Sequence, residues 1–432
     1  MAITTKTVSN NGNAQPRVIY ILPQPFFALR GSSFRAKATV ETLAKLGFGV
    51  DLVCLNMGND LSIPGVTIHR VNKLKVIKQI PIGPSLRKIV LDIFLYRKAK
   101  KLIESNVYCV IHGVEEGGLI AHYLSGQYNI PFIFDMHSCM SEQIADTHFG
   151  RWPFVYKVLH HFEKKAIRKA AGVITVGKDH AAWVTKICAD VKVHALHDLP
   201  PPIRYDEHRL ADLKDSLGLN GFKIGVYTGN FASYQGIDLL LESWKVLVRQ
   251  NDKVKLILVG GTPEQIESYT KKTLHLGIAD HVIFAGNKSP EELGDYLMCA
   301  DTLISPRITG ANTPLKIYTY MACGKPIVAT NIRSHTQVLS DNEAYLSHPE
   351  VHAFAEALAQ SFSQTPGNLQ IASNRSRAAK RLADEYFNRQ RFESILKKAY
   401  EFTDPTYNQK EVSGEKNHSE ARALASHCAR HI

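Results

Sequence analysis

Short apolar runs rich in β-branched residues alternate along this chain with longer amphipathic stretches. In the first half the runs are 18–22, 50–55, 107–112, 132–136 and 172–176; in the second they are 223–228, 255–260, 282–285, 302–305 and 326–330. A strand that is apolar along its whole length must be covered on both faces, so the pattern predicts parallel sheets with helices on each side. At 432 residues the chain exceeds what one ordinary core organises, and two α/β domains are expected. Such sheets bind ligands beyond the carboxyl ends of their strands, which is where candidate chemistry is sought.

The divisions follow from composition. Residues 1–16 are polar and read as a loose tail, without the apolar core of a secretory leader. A first domain spans 17–199. Pro200-Pro201-Pro202 cannot continue a helix or a central strand, so 200–221 reads as a stiff linker. A second domain spans 222–374, a last helix 375–402, and the polar stretch 403–432 reads as a disordered tail. No apolar run reaches the roughly 20 residues of a membrane span.

The seven cysteines are scattered and form no Cys-x-x-Cys pair, which disfavours a zinc or disulfide framework and fits a reducing cytoplasm. Cys54 and Cys109 read as small core residues. The net charge of +12 suits an anionic partner. Between 72 and 101 nine Lys or Arg face the single acid Asp92, interleaved with apolar residues such as Ile77, Ile89 and Phe94. Two readings stay open for 73–101: a basic amphipathic helix on an anionic membrane, or a solvated helix packing its apolar stripe on the sheet. No pattern of a nucleic-acid-binding module is present, and nucleic acid is not expected as a partner.

Several strand ends carry candidate chemistry. After the first strand comes Arg30-Gly31-Ser32-Ser33, opening a helix expected at about 34–46. Free backbone N–H groups at such a start attract phosphate, with Arg30 and Arg35 adding charge; plain capping by Ser32 or Ser33 is the alternative. His112, Glu115 and Glu116 follow a later strand, and Asp135, His137 and Ser138 the next, where acids and histidines can hydrogen-bond sugar hydroxyls or manage a proton. Asp135 could equally cap the next segment and His112 sit in the core. In the second domain Thr228-Gly229-Asn230 ends a strand, and Gln235-Gly236 opens a helix. Farther on, Arg307 leads through Gly310, Ala311 and Asn312 to Thr313-Pro314-Leu315-Lys316. Thr313 is an apt N-cap with Pro314 at the first helical position, so the loop and helix start form an anion site reinforced by Arg307 and Lys316.

These residues resemble glycosyltransferase family 4. Tyr227-Thr228-Gly229-Asn230 with Tyr234-Gln235-Gly236-Ile237-Asp238 is similar to the opening of that family's donor domain. So is the run from Pro314 to Ala329, with its Met321-Ala322-Cys323-Gly324-Lys325-Pro326 block. Asp135 to Ser138 and 163–176 are similar to acceptor-side segments. The resemblance implies the GT-B fold, two Rossmann-like doubly wound parallel-sheet domains facing across a cleft. It implies transfer from a UDP- or GDP-linked sugar to a saccharide or lipid-linked acceptor, usually retaining, with no metal and no cofactor beyond the donor. Cell-surface polysaccharide or glycolipid synthesis would follow, in the cytoplasm or on the inner face of the membrane.

By residue, the resemblance puts Gly31 and Ser32 near the donor phosphates, His137 beside the donor sugar, and the last helix back across the first domain. The family's Glu-x7-Glu pair, however, falls on Ala311 and Thr319, and its diphosphate-clamping Arg and Lys fall on Asn230 and Gln235. Three readings follow. Arg307 and Lys316 replace the cations while Asn312, Thr313 and Thr319 take the hydroxyl contacts; or the donor site is degraded and the chain is a non-catalytic partner; or the fold runs another sugar-nucleotide reaction such as epimerisation. The first is the expectation carried forward, with His137, Arg307 and Lys316 as catalytic candidates.

Overall fold

The computed structural model describes residues 15–27, 31–59, 61–72, 86–145, 153–310 and 312–403. In the first domain β1 (Arg17–Pro25), α1 (Gly31–Lys45), β2 (Gly49–Leu55), β3 (Val66–Arg70), α2 (Leu86–Ser105), β4 (Val110–Val114) and α3 (Glu116–Tyr128) come first. Then follow β5 (Phe132–Met136), α4 (Met140–Ala145), α5 (Pro153–Lys169), β6 (Gly172–Thr175), α6 (Lys178–Ile187) and β7 (Val193–Ala195). The seven strands form one parallel sheet in the order β3-β2-β1-β4-β5-β6-β7. Alternation along β1 sets its two faces. Val18, Tyr20 and Leu22 pack with Ala36, Val40 and Leu43 of α1, whereas Ile19 and Ile21 pack with Leu91 and Leu95 of α2.

The second domain opens with α7 (Glu207–Ser216) and β8 (Lys223–Thr228), followed by α8 (Ile237–Gln250), β9 (Val254–Val259), α9 (Pro263–Leu276), β10 (Val282–Gly286), α10 (Pro290–Cys299) and β11 (Thr302–Ser305). It closes with α11 (Leu315–Cys323), β12 (Ile327–Thr330), α12 (Arg333–Thr336), β13 (Tyr345–Ser347) and α13 (Val351–Phe362). Its six strands are parallel, in the order β10-β9-β8-β11-β12-β13. Helices cover both faces: Tyr318 and Met321 of α11 lie on one side and Trp244 of α8 on the other, all fully buried. Two doubly wound parallel sheets are the architecture that the apolar runs predict.

Several boundaries differ from the sequence reading. The run expected to begin at Val107 becomes a strand only at Val110, and Val107 is 74% exposed. The segment 200–221, read as a linker, holds α7, whose Leu210 and Leu213 pack into the second core because an amphipathic turn beside a sheet finds apolar surface to cover. The extent read as one helix over 375–402 is two. Helix α14 (Pro366–Tyr386) packs Ala379 and Ala383 on the second domain, and α15 (Arg389–Ala399) packs Phe392, Leu396 and Ala399, with Tyr400, on the first. The break is local: the Asn388 side chain accepts from the backbone N–H of Arg391 at 2.8 Å and starts a new helix. Cys54 is buried, and the half-buried Cys109 donates its thiol to the Arg17 carbonyl at 3.1 Å.

Most of the expected tails, 1–14 and 404–432, and residues 73–85 of the basic segment lie outside the described residues. No described helix is long and apolar enough to cross a membrane.

Candidate functional site

The ends of β8 and β11 and the start of α11 converge in the second domain. Gly229 follows β8 at φ +139°, and a side chain there would put Cβ 2.8 Å from the Lys316 ammonium. That ammonium lies 3.8 Å from the centre of the Tyr227 ring and 3.2 Å from Gln235 Oε1. No carboxylate among the described residues pairs with it. Burial, with the Arg307 guanidinium adding repulsion, therefore holds its pKa well below the ordinary lysine value. Gly236 follows the turn that carries Gln235, at φ +73°, where a Cβ would come within 2.0 Å of the Pro306 carbonyl oxygen, so only glycine admits this approach of two loops.

Buried side chains fix this corner. The Tyr320 hydroxyl accepts from the Thr228 backbone N–H at 2.9 Å and thereby ties α11 to the end of β8. His335 is fully buried, and burial pushes its pKa down to about 4, so the ring is neutral. It donates from Nδ1 to the Thr330 carbonyl at 2.8 Å and accepts from the Ser305 hydroxyl at 2.9 Å. The Thr330 hydroxyl donates in turn to the Arg307 carbonyl. The start of the 306–312 loop is thus braced from beneath. Neither Tyr320 nor His335 stood out in the sequence, because each works by joining separate elements, Tyr320 to the end of β8 and His335 to the ends of β11 and β12.

In the first domain the strand ends are held by an ionic cluster. Arg35, expected to reinforce an anion site, is instead 3% exposed, and its guanidinium meets Asp135 at 3.1 Å, Asp198 at 3.1 Å, the Leu196 carbonyl at 2.6 Å and His137 Nε2 at 3.0 Å. Asp135, an acceptor-side candidate, is fully buried. Burial alone would raise its pKa, but the Arg35 guanidinium, with a hydrogen bond from His112, holds it well below the usual carboxylate range. His112 stacks on Tyr20 and accepts or donates at the Tyr400 hydroxyl, 2.7 Å away, so its core reading stands. The loop after β5 is pinned a second time by the buried Glu163, whose carboxylate accepts from the N–H groups of Met140 and Ser141 at the start of α4.

The remaining predicted residues divide clearly. Glu115 sits at φ 49°, a left-handed region where residues other than glycine are strained, and its carboxylate accepts from the Ser138 hydroxyl at 2.9 Å. Burial raises its pKa to about 7, with Glu116 adding to the shift. Glu116 itself turns to Lys88 on α2 and belongs to the helix layer. Gly31 and Ser32 occupy the first turn of α1, which makes Ser33 a residue within the helix, not its cap. Arg30 and Ala311 lie outside the described residues.

In the second domain Asn230 is exposed and closes a turn onto the Ala232 N–H. Arg307 donates to the carbonyls of Thr309 and Asn312 and lies over the Tyr234 ring, so much of its donor capacity braces its own loop past Gly310. Helix α11 begins at Leu315 with Pro314 as the N-cap, one residue later than expected; Thr313 is buried and hydrogen-bonds Tyr318. Thr319 is also buried, and its hydroxyl donates to the Leu315 carbonyl one turn back.

The two clusters meet. Asn312 Nδ2 donates to the His137 carbonyl at 2.7 Å, and on the flank Arg333 reaches Asp179 of α6 at 2.9 Å. The cationic corner around Lys316 therefore faces the strand ends of the first domain. Among the described residues no group of three His, Cys, Asp or Glu side chains gathers in a way that could hold a metal ion.

Comparison with known proteins gives matches over most of this framework. Residues 29–198 match the model of a family described as Glycosyltransferase Family 4, and residues 223–364 match that of Glycosyl transferases group 1. A glycosyltransferase of Methanocaldococcus jannaschii is 23% identical over 64% of this chain and 68% of its own length. The structure is similar to that of sucrose-phosphate synthase from Thermosynechococcus elongatus, with a TM-score of 0.70 and 18% identity, covering 93% of this chain and 100% of that one. It is also similar to Anabaena HepE in complex with UDP-glucose, with a TM-score of 0.64 and 14% identity, over 89% of this chain and 98% of that one.

Proposed function

From the premise that this chain belongs to the glycosyltransferases, as an enzyme of the family 4 type on the GT-B fold, we propose that it transfers a sugar from a UDP- or GDP-linked donor to a saccharide or lipid-linked acceptor. Transfer is retaining, uses neither metal nor cofactor, and serves polysaccharide or glycolipid synthesis. The observation that carries this reading is the Lys316 ammonium, 3.2 Å from Gln235 and against the Gly229 turn. Gln235 is where the family resemblance implies a diphosphate-binding cation, and the charge arrives there from α11 instead. With the N-terminal N–H groups of α11 and the Arg307 loop, Lys316 would stabilise charge developing on the departing nucleotide diphosphate. His137, held at the facing strand end, would orient the sugar.

The Asn312 amide nitrogen and the Thr319 hydroxyl are already engaged within the protein, which favours a second reading, a non-catalytic protein with a degraded donor site. A thermal-shift panel of UDP-, GDP- and ADP-sugars separates the two. A ligand at 100 times its Kd adds about 2.7 kcal/mol to the folded state, so a true donor raises Tm visibly. A flat panel at saturating concentrations refutes the transferase.

The acceptor reading extends to an anionic membrane surface. Within 73–101, the described helix α2 exposes Ile89, Val90 and Ile93 beside basic residues such as Arg97 and Lys101. On α5, Phe154, Val158 and Phe162 are exposed at four-residue spacing beside Lys157, Lys165, Arg168 and Lys169. Helix α3 packs against both and exposes Tyr123 on the same layer.

A further inference from the structure

Arg35 and His137 are 102 residues apart, yet the guanidinium Nε–H points at the imidazole Nε2 from 3.0 Å. An arginine stays protonated throughout the working pH range and offers only donors. Two N–H groups cannot point at each other, so Nε2 must present its lone pair. A neutral imidazole with a lone pair on one nitrogen carries its proton on the other.

Nothing around the guanidinium lets it turn away. Its Nη1 donates to the Leu196 carbonyl at 2.6 Å and to Asp198 at 3.1 Å, and its Nη2 donates to Asp135 at 3.1 Å. At this nitrogen Asp135 competes for the proton: its Oδ2 lies 3.4 Å from His137 Nε2 and would draw a proton onto it. That oxygen is, however, also 3.4 Å from His112 Nε2, and the ring of His112 is completed on its other side by the Tyr400 hydroxyl at 2.7 Å. The same carboxylate is ion-paired to Arg35. The shorter and better aimed contact to His137 is the one from Arg35. On the other ring nitrogen, Nδ1 has no hydrogen-bond partner among the described residues, while the carbonyl of the same residue receives the Asn312 amide from the facing domain at 2.7 Å.

We propose that Arg35 is a positioning residue that fixes the His137 ring in its Nδ1–H form, making the ring a hydrogen-bond donor to an oxygen of the transferred sugar and removing it as a proton acceptor. The identity of that oxygen rests on the glycosyl-transfer reading; the state of the ring does not. Arg35 touches no substrate and acts only through the ring. Asp135, Asp198 and the Leu196 carbonyl act one step farther back, since they hold the guanidinium in place. The division of labour has a chemical consequence: a proton leaving the acceptor hydroxyl must go to a group other than His137.

The test is the imidazole 15N spectrum of the full chain labelled at histidine, with His137→Asn used to assign the ring. The expected result near pH 7.5 is a proton on Nδ1 and the signature of an unprotonated, hydrogen-bonded nitrogen at Nε2. A proton on Nε2, or on both nitrogens, overturns the proposal, and this needs no variant at all. Arg35→Lys keeps a positive charge for Asp135 and Asp198 but loses the Nε–H, so a population with the proton on Nε2, donating to Asp135, should appear. Hydrolysis of whichever UDP- or GDP-sugar raises Tm should fall by about tenfold or more, while affinity for the free nucleotide stays within about twofold. Asp198→Asn removes a neighbouring ion pair and should leave the Nδ1–H form in place. A wild-type ring state in Arg35→Lys refutes the role of Arg35. A protein that binds no nucleotide sugar refutes the transferase reading and leaves the ring measurement standing.

Discussion

Replacing Lys316 by Met should stabilise the ligand-free protein while weakening its hold on a nucleotide diphosphate. Burying an ammonium without a carboxylate costs several kcal/mol after relaxation. Two contacts offset part of this. The bond to Gln235 Oε1 at 3.2 Å is a hydrogen bond to a charged group, worth about 1.5–3 kcal/mol, and the Tyr227 face at 3.8 Å contributes about 1–2 kcal/mol. Methionine keeps the stem against the ring without the charge, so a net gain of about 1–2 kcal/mol is expected in urea unfolding at pH 7. On the ligand side, one charge-assisted bond to phosphate is lost, about 1.5–3 kcal/mol, which weakens binding about 10- to 150-fold.

The depressed pKa of Lys316 adds an independent signature. A lysine easier to deprotonate in the folded state than in the unfolded one makes the free protein gain stability as pH rises through that depressed value towards 10.5, and Lys316→Met abolishes this gain. A bound diphosphate favours the charged form, so above the depressed value donor binding takes up a proton and tightens as pH falls, by up to about one decade per pH unit. Calorimetry in buffers of different ionisation enthalpy reads that proton directly. Binding with no proton uptake at any pH, and a Lys316→Met variant both less stable and equally tight, would refute the reasoning.

Two further outcomes follow from packing. Asp135→Asn leaves Arg35 without its fully buried partner and should cost about 3–5 kcal/mol at pH 7. Because the folded pKa of Asp135 lies below its ordinary 3.8, that contribution is present above pH 4 and lost as pH falls through the depressed value, so wild type and variant should converge in acid unfolding curves. Gly236→Ala would set a Cβ 2.0 Å from the Pro306 oxygen at φ +73°; a loss of about 3 kcal/mol or more in urea unfolding is expected, with nucleotide-sugar binding abolished even in the fraction that folds.

The central strands were legible because each is mostly apolar and buried on both faces, even where His112 in β4 or Asp135 in β5 interrupts the run. Of the four edge strands only β10 was legible; β3, β7 and β13 are three to five residues long, partly exposed and without a continuous apolar run. The positions of Gly229, Gln235 and Lys316 could be singled out, yet their mutual contact depends on α11 reaching back to a turn some 80 residues earlier. Arg35 was misjudged for a related reason. A basic residue in the first turn of a helix suggests an anion site, and only the fold shows that Asp135 and Asp198 occupy it first. Tyr320 lies inside the run that resembles the family's donor domain, yet its bond to Thr228, like that of His335 to Ser305, is tertiary and leaves no trace in the sequence.

The chain passes between its two halves twice, once before α7 and again at the Asn388 break. Severing it at the prolines alone therefore yields an N-terminal fragment whose sheet lacks Phe392, Leu396 and the Tyr400 hydroxyl on His112. Any attempt to exchange C-terminal halves between relatives needs two junctions, with the terminal helix travelling alongside the N-terminal half. Substrate specificity can be shuffled in this architecture only as an insertion, never as a simple tail-for-tail graft.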